Sequence, residues 1–302
     1  MTGARKTAAA PFFWSLRRER MYRRCPRELF LDSYGGRGGH EPWGEPGRRI
    51  IHRLKQLRTV PEFCRRLMAE ILRACFLAGA GEEEFPEAFD RRFRRMLEQR
   101  WKQLRREILL GDPALDHRIP QFAEPEAARS YEWLFRAVEE ECRRLTGSDL
   151  FSDLASELGA VPPLAIVPIP SPFEVQLAEL RVYTGTLLAW RRGDRIRFLS
   201  LVNGEDAERD EIYRVIEQYF AWNRLKIPPE RVDSLLADFG AARRYDYAGA
   251  AAEAGRVVDR ILASAAEIAV RLDRDGGADP EAFPMIEDCP PECRFYRFCR
   301  PS

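Results

Sequence analysis

The residues best suited to chemistry stand near the end of the chain, in Cys289-Pro-Pro-Glu-Cys293-Arg-Phe-Tyr-Arg-Phe-Cys299. Three thiols flanked by prolines and aromatics offer soft sulfur donors to a metal. Such a segment supplies three ligands and needs a fourth. Cys25 is the natural candidate, because it too stands beside a proline in a basic, aromatic-rich stretch. Four thiolates suit a tetrahedral zinc ion (Zn) or a 4Fe-4S cluster, and spacing alone leaves both open. With one ligand almost a whole chain away from the others, the metal would clamp the two ends together. Its binding would then become folding energy. The competing reading is three unconnected reduced thiols in a tail. Cys64, Cys75 and Cys142 lie on helical apolar stripes and read as buried small hydrophobes.

Other groups carry less. His52 and His117 are isolated and read as ordinary hydrogen-bonded or surface side chains. The run Tyr34-Gly35-Gly36-Arg37-Gly38-Gly39 looks like a phosphate cradle, but no Gly-Lys-Ser/Thr follows and no strand clearly precedes it. Nucleotide binding is therefore not expected there. The chain has four lysines, so 45 of its 49 basic residues are arginines. Arginine forks onto phosphate and stacks on bases where lysine offers a point charge. Arg17, Arg18, Arg20, Arg23, Arg24 and Arg27 crowd one early stretch, with Trp14 and Tyr22 among them and Trp43 and Trp222 elsewhere. That pattern suits phosphate contact and base stacking. A solvated helix face explains the charge equally well.

The 302 residues are 45% hydrophobic with a formal net charge of +1, which suits a folded core and excludes a disordered chain. No apolar run approaches the roughly 20 residues that span a bilayer. The segment from Met1 to Ala10 lacks the apolar core of a secretory signal, so a cytoplasmic chain without structural disulfides is expected.

Several elements must position these groups. Residues 12–32 read as a helix broken at Pro26. Apolar stripes at helical spacing run through 62–78, 87–108 and 124–145. After Pro162-Pro163 the texture changes. Residues 173–183, 184–190 and 195–202 alternate as strands, with a turn at Arg192-Gly193-Asp194, and predict a hairpin-rich antiparallel sheet. A helix over 211–225, a strand over 232–239 and an Ala-rich helix over 248–271 follow. The order predicts an α+β (mixed α/β) chain, read as segments 1–60, 61–160, 161–272 and 273–302.

At this point the chain resembles the PD-(D/E)XK nuclease superfamily, in the RecB-like branch whose AddB-type members carry an iron–sulfur cluster. The resemblance is thin and runs over most of the chain. Its N-terminal mark is Trp14-Ser15, Tyr22-Arg-Arg-Cys25-Pro26-Arg27 and Leu29-Phe30, followed by the linker-like Ile51-His-Arg-Leu-Lys-Gln-Leu57. Its C-terminal mark is Phe283-Pro284-Met285 and Cys289, Cys293, Arg294-Phe295 and Cys299. Three residues separate Cys289 from Cys293 where the family usually has two. The resemblance implies a nuclease core sheet with flanking helices and a Cys-rich tail closing on the N-terminus.

It also implies a lost catalytic site. Val182 to Trp190 is similar to the strand bearing the first metal-binding Asp, which falls at Leu187. Arg195 to Gly204 is similar to the strand ending in Asp-x-Lys-Thr-Gly, which puts the acid at Ser200 and the lysine at Val202. Ala69 stands near the place of a metal-binding His, while Gln218 and Trp222 keep the form of the Gln-x-x-x-Tyr feature. Leu and Val cannot hold Mg²⁺ or Mn²⁺, and Ser is a poor substitute for a carboxylate. The expectation is a catalytically degenerate nuclease fold that binds nucleic acid, DNA above all, through Arg23, Arg24, Arg27, Gln218 and Trp222, or serves as a structural subunit beside a protein partner. Two alternatives are carried. One is an active metal-dependent DNase with rearranged acids drawn from Glu174, Glu179, Asp194, Glu205 and Asp206. The other is a zinc-clamped interaction module. No membrane partner is expected.

Overall fold

The computed structural model describes residues 12–37, 39, 44–56, 60–77, 95–96, 99, 131–272, 278–290 and 293–300. The stripe over 87–108 lies almost entirely outside them, as do Trp43 and His117. The fold is mixed α+β and divides into two compact units. The first joins residues 1–57, 174–183 and 253–302; the second joins 58–173 and 184–252.

In the first unit, strand β1 (Phe13–Trp14) leads into helices α1 (Leu16–Arg24) and α2 (Pro26–Phe30). Ser15 caps α1, its hydroxyl accepting from the Arg18 N–H at 3.3 Å. The break falls where the sequence places it, with Pro26 at the first position of α2. A π-helical turn (Leu31–Gly35) follows, then helix α3 (Pro46–Gln56). Helix α4 (Val60–Leu77) and helices α5 (Tyr131–Thr146) and α6 (Asp149–Gly159) belong to the second unit.

Strands β2 (Phe173–Leu177) and β3 (Leu180–Thr184) turn at Ala178, whose φ is +51°. β1 pairs parallel with β3, giving a sheet in the order β1-β3-β2. Trp14 is fully buried and its indole N–H donates to Ser264 Oγ at 3.2 Å. Tyr22 is buried as well, its hydroxyl accepting from Arg271 at 2.5 Å. Neither ring can stack on a base, which corrects the sequence reading. Both serve the core instead.

The second unit is built on strands β4 (Thr186–Arg192), β5 (Arg195–Leu201), β6 (Val232–Asp238) and β7 (Arg243–Ala248), in that order across the sheet. Gly193 makes the expected β4–β5 turn with φ +64°. The sheet is not purely antiparallel: β5 and β6 run parallel. Helix α7 (Ala207–Phe220) makes the crossover that parallel strands require, extended by a π-helical turn (Ala221–Leu225). One sheet face packs Leu188, Trp190, Leu199, Leu235 and Ala237 against α4, α5 and α6. On the other, Phe198 meets Phe220 of α7 edge-on at 6.2 Å. Helix α8 (Ala254–Ala269) and the short helix α9 (Tyr296–Cys299) complete the first unit.

Candidate functional site

The four cysteines singled out by sequence all belong to the first unit. Cys25 is buried at the junction of α1 and α2, where its N–H donates to Met21 O at 2.8 Å and its carbonyl accepts from the Glu28 N–H at 3.0 Å. The C-terminal segment folds back onto this junction. The Arg27 N–H donates to Pro284 O at 3.2 Å, and the Phe30 and Phe283 rings lie 5.8 Å apart. Met21, Tyr22, Leu29, Phe30, Phe283 and Phe295 form one apolar cluster, with Cys293 and Cys299 packed against it.

The thiols feel one another. Burial pushes the Cys293 thiol up to about 11, aided by the negative charge of Glu28, Cys289 and Cys299. Burial likewise raises Cys299, with Cys289 and Cys25 adding to the rise and Arg27 and Arg300 opposing it. Two thiolates side by side repel, and a cation between them relieves the repulsion. The donor types therefore suit a thiophilic metal in chemistry. Among the described residues, however, no group of three or more His, Cys, Asp or Glu side chains stands close enough to hold a metal ion.

The arginines named with them are engaged locally. Arg24 forks onto Glu28, at 2.9 Å through Nε and 2.6 Å through Nη2, and the pair raises the guanidinium further. Arg23 lies 2.6 Å from the buried carboxylate of Glu19, which Arg260 also reaches at 3.2 Å. Arg27 sits 5.8 Å from the Phe30 ring. The charges of Arg23 and Arg24 first neutralise buried acids of their own unit.

In the second unit, Leu187 lies on the edge strand β4, Ser200 on β5 and Val202 just past the end of β5. The β4–β5 register pairs Thr186 with Ser200 and Leu188 with Leu199, so Leu187 is the additional residue of a β-bulge. Its carbonyl accepts from Arg73 Nη1 of α4 at 2.9 Å, one turn beyond Ala69. Val202 is buried and its N–H donates to Ala237 O at 2.9 Å.

Ser200 has no exposed surface. Its hydroxyl lies 2.9 Å from Glu217 Oε1 and 3.0 Å from Thr186 Oγ1. Thr186 Oγ1 donates to the same Glu217 oxygen at 2.7 Å, and Ser234 Oγ reaches Glu217 Oε2 at 2.5 Å. Burial pushes the Glu217 carboxyl up to about 7, with the three hydroxyls and Arg214 pulling the other way. Sequence reasoning singles out Gln218 and misses its neighbour. A signal was present: Ser200 interrupts the inward stripe Ile196-Phe198-Ser200-Val202, and Ser234 interrupts Val232-Ser234-Leu236. Gln218 itself is buried and used up, donating to Gly249 O at 2.9 Å and accepting from the Ala251 N–H at 3.0 Å. Trp222 is 54% exposed on the π-helical turn.

The candidate acids do not converge. Asp194 lies at the hairpin turn beside Arg231. Glu205 and Asp206 lie at the other end of β5, a strand of seven residues that spans about 23 Å at 3.3 Å each. Glu205 pairs with Arg243, and Asp206 caps α7 by accepting from the Arg209 N–H at 3.0 Å. Glu174 pairs with Tyr183 in the first unit, and Glu179 is exposed. A two-metal site needs carboxylates a few ångströms apart, and these acids are held elsewhere. A search against protein-family models finds no match, and one against the curated proteins finds none either.

Proposed function

We propose that the chain is a RecB-like nuclease-fold protein without nuclease activity, whose Cys25, Cys289, Cys293 and Cys299 hold a 4Fe-4S cluster and which binds DNA or serves as a structural subunit of a DNA-processing complex. The observation that carries this reading is the return of the C-terminal segment onto the Cys25 junction, with Cys293 and Cys299 on the same apolar cluster as α1 and α2. Cys25 and the tail cysteines come from opposite ends of the chain, and a shared metal would give that return a function. When bound, the cluster would supply a rigid crosslink among four thiolates. The residues' own part is to bring those thiols together and wall them with Phe283, Phe295 and Tyr22.

Loss of catalysis is supported by the second unit. The hairpin, crossover helix and parallel strand are the arrangement the nuclease core needs, while the place of the acid holds Ser200 under α7. Anaerobically purified protein is expected to be brown, with about four irons and four acid-labile sulfides per chain, and Cys25→Ser is expected to bleach it. A colourless protein with one zinc would favour the interaction-module reading. A metal-free, stably folded protein would sink the metal centre altogether.

A further inference from the structure

A second basic group in the first unit is less fully compensated than Arg23 and Arg24. Arg17 and Arg18 of α1 and Arg37 of the glycine-rich loop gather around Asp32 and Tyr34. Arg17 Nη2 lies 3.5 Å from Asp32 Oδ1, a long contact for an ion pair, and its side chain is 59% exposed. The Arg37 guanidinium lies 4.6 Å from the Tyr34 ring centre, and Arg37 is exposed. Arg18 stacks on Phe13 at 4.1 Å and approaches Tyr34 at 5.7 Å. It donates to Phe13 O at 2.7 Å, while its Nε is buried with no hydrogen-bond partner among the described residues. Burial lowers the nearby Lys55 ammonium, with Asp32 opposing and Arg18, Arg37 and Arg17 adding smaller effects. Three arginines thus gather around Asp32 and Tyr34. Like charges packed this closely cost free energy unless a further anion joins them.

The glycine-rich loop has its role here. A side chain at Gly36 would come within 3.1 Å of the His52 backbone nitrogen, and one at Gly39 would collide with the Arg48 carbonyl. The glycines let the loop lie on α3, and so hold Arg37 in place.

We propose that this cluster is a binding site for the phosphodiester backbone of DNA, with Arg17 and Arg37 as its exposed contacts and Arg18 as supporting charge. The assignment rests on the nucleic-acid part of the reading above and gives it a location. Spaced guanidinium forks suit a row of phosphates. The rings at this site are buried or half-buried under guanidinium groups, so they orient arginines rather than receive bases. Binding is therefore independent of sequence and insensitive to strandedness.

The test is fluorescence anisotropy of the full chain with labelled single-stranded and duplex DNA of one length, across a salt series. Arg17→Gln with Arg37→Gln should weaken binding about tenfold on both DNAs. It should also make the salt dependence shallower by about one in log–log slope for each phosphate that the variant no longer neutralises. Arg256→Gln, which removes one exposed positive charge paired with Glu253, should move affinity far less and leave the slope alone. Both positions of the double variant are exposed, so its melting temperature should match the parent's. If the parent binds and the double variant binds equally with the same slope, the site is wrong while DNA binding stands. If the parent binds neither DNA, the nucleic-acid reading and this site both fall.

Discussion

A carboxyl group sealed beneath a helix loses its water, and hydroxyl donors replace only part of that loss. Glu217 has three such donors and still holds its proton up to about pH 7, because burial outweighs them. The consequence for stability has a definite sign. Below about pH 4.5 the carboxyl is protonated whether the chain is folded or not. Between 4.5 and about 7 the unfolded chain releases the proton while the folded one keeps it, so stability falls as pH rises. The loss totals about 3 kcal/mol and is complete above pH 7. In Glu217→Gln this dependence disappears, and the serine and threonine hydroxyls can turn to accept from the new amide. The difference in melting temperature between parent and variant, followed from pH 4.5 to 8, should therefore shift progressively in the variant's favour. A difference that stays flat would mean that the carboxyl is solvated. Of this cluster, the serines were legible as breaks in apolar stripes. Their partner was not, because a lone Glu on a helix says nothing about the sheet beneath it.

Pairing direction is decided at the scale of elements, and a strand's own pattern does not encode it. Ile196, Phe198 and Leu235 alternate or cluster as any half-buried strand would, so the hairpin and its Gly193 turn were readable and the parallel β5–β6 pairing was not. The clue lay in the 14-residue helix between them, long enough for a crossover. Edge strand β7, Arg-Arg-Tyr-Asp-Tyr-Ala, escaped for a related reason, since its charges suit an edge and read as a loop. Helix α6 was not among the predicted elements, although Ser148 at its cap and Leu150, Leu154 and Leu158 in register carry a helical signal. The ends of β5 and β6 are joined by Asp238, which is buried and accepts from the N–H groups of Gly204 at 2.6 Å and Gly240 at 2.8 Å. Asp238→Ala strips acceptors from both turns and should cost about 2–4 kcal/mol. Thermal melting reads the loss directly. A change below about 0.5 kcal/mol, the size of an ordinary surface substitution, would show that water replaces the carboxylate without penalty.

At the scale of the whole molecule, the first unit is assembled from three segments far apart in sequence. The thiols at both ends were legible as a set because cysteines are few and their neighbours distinctive. A tail closing on the N-terminus was expected there too, but from a shared metal; that it depends on Phe283 and Phe295 inserting beside Met21, Leu29 and Phe30 was not legible. That dependence is testable without reference to any metal. Phe283 and Phe295 are each almost wholly buried, and removing a buried Phe side chain costs about 3–5 kcal/mol. A chain ended after Arg271 loses both rings, the Arg27–Pro284 hydrogen bond and the tail cysteines together. Against a typical domain stability of about 5–15 kcal/mol, that deficit is enough to loosen α1 and α2. Amide hydrogen exchange should then show lost protection across Leu16–Gly35, while β4 to β7, which draw their core from the second unit, keep theirs. Retained protection in Leu16–Gly35 would mean that the N-terminal helices stand without the tail. Closure of the two ends would then be an accessory of the fold, and the shared apolar cluster would no longer explain why the C-terminal segment returns to the Cys25 junction.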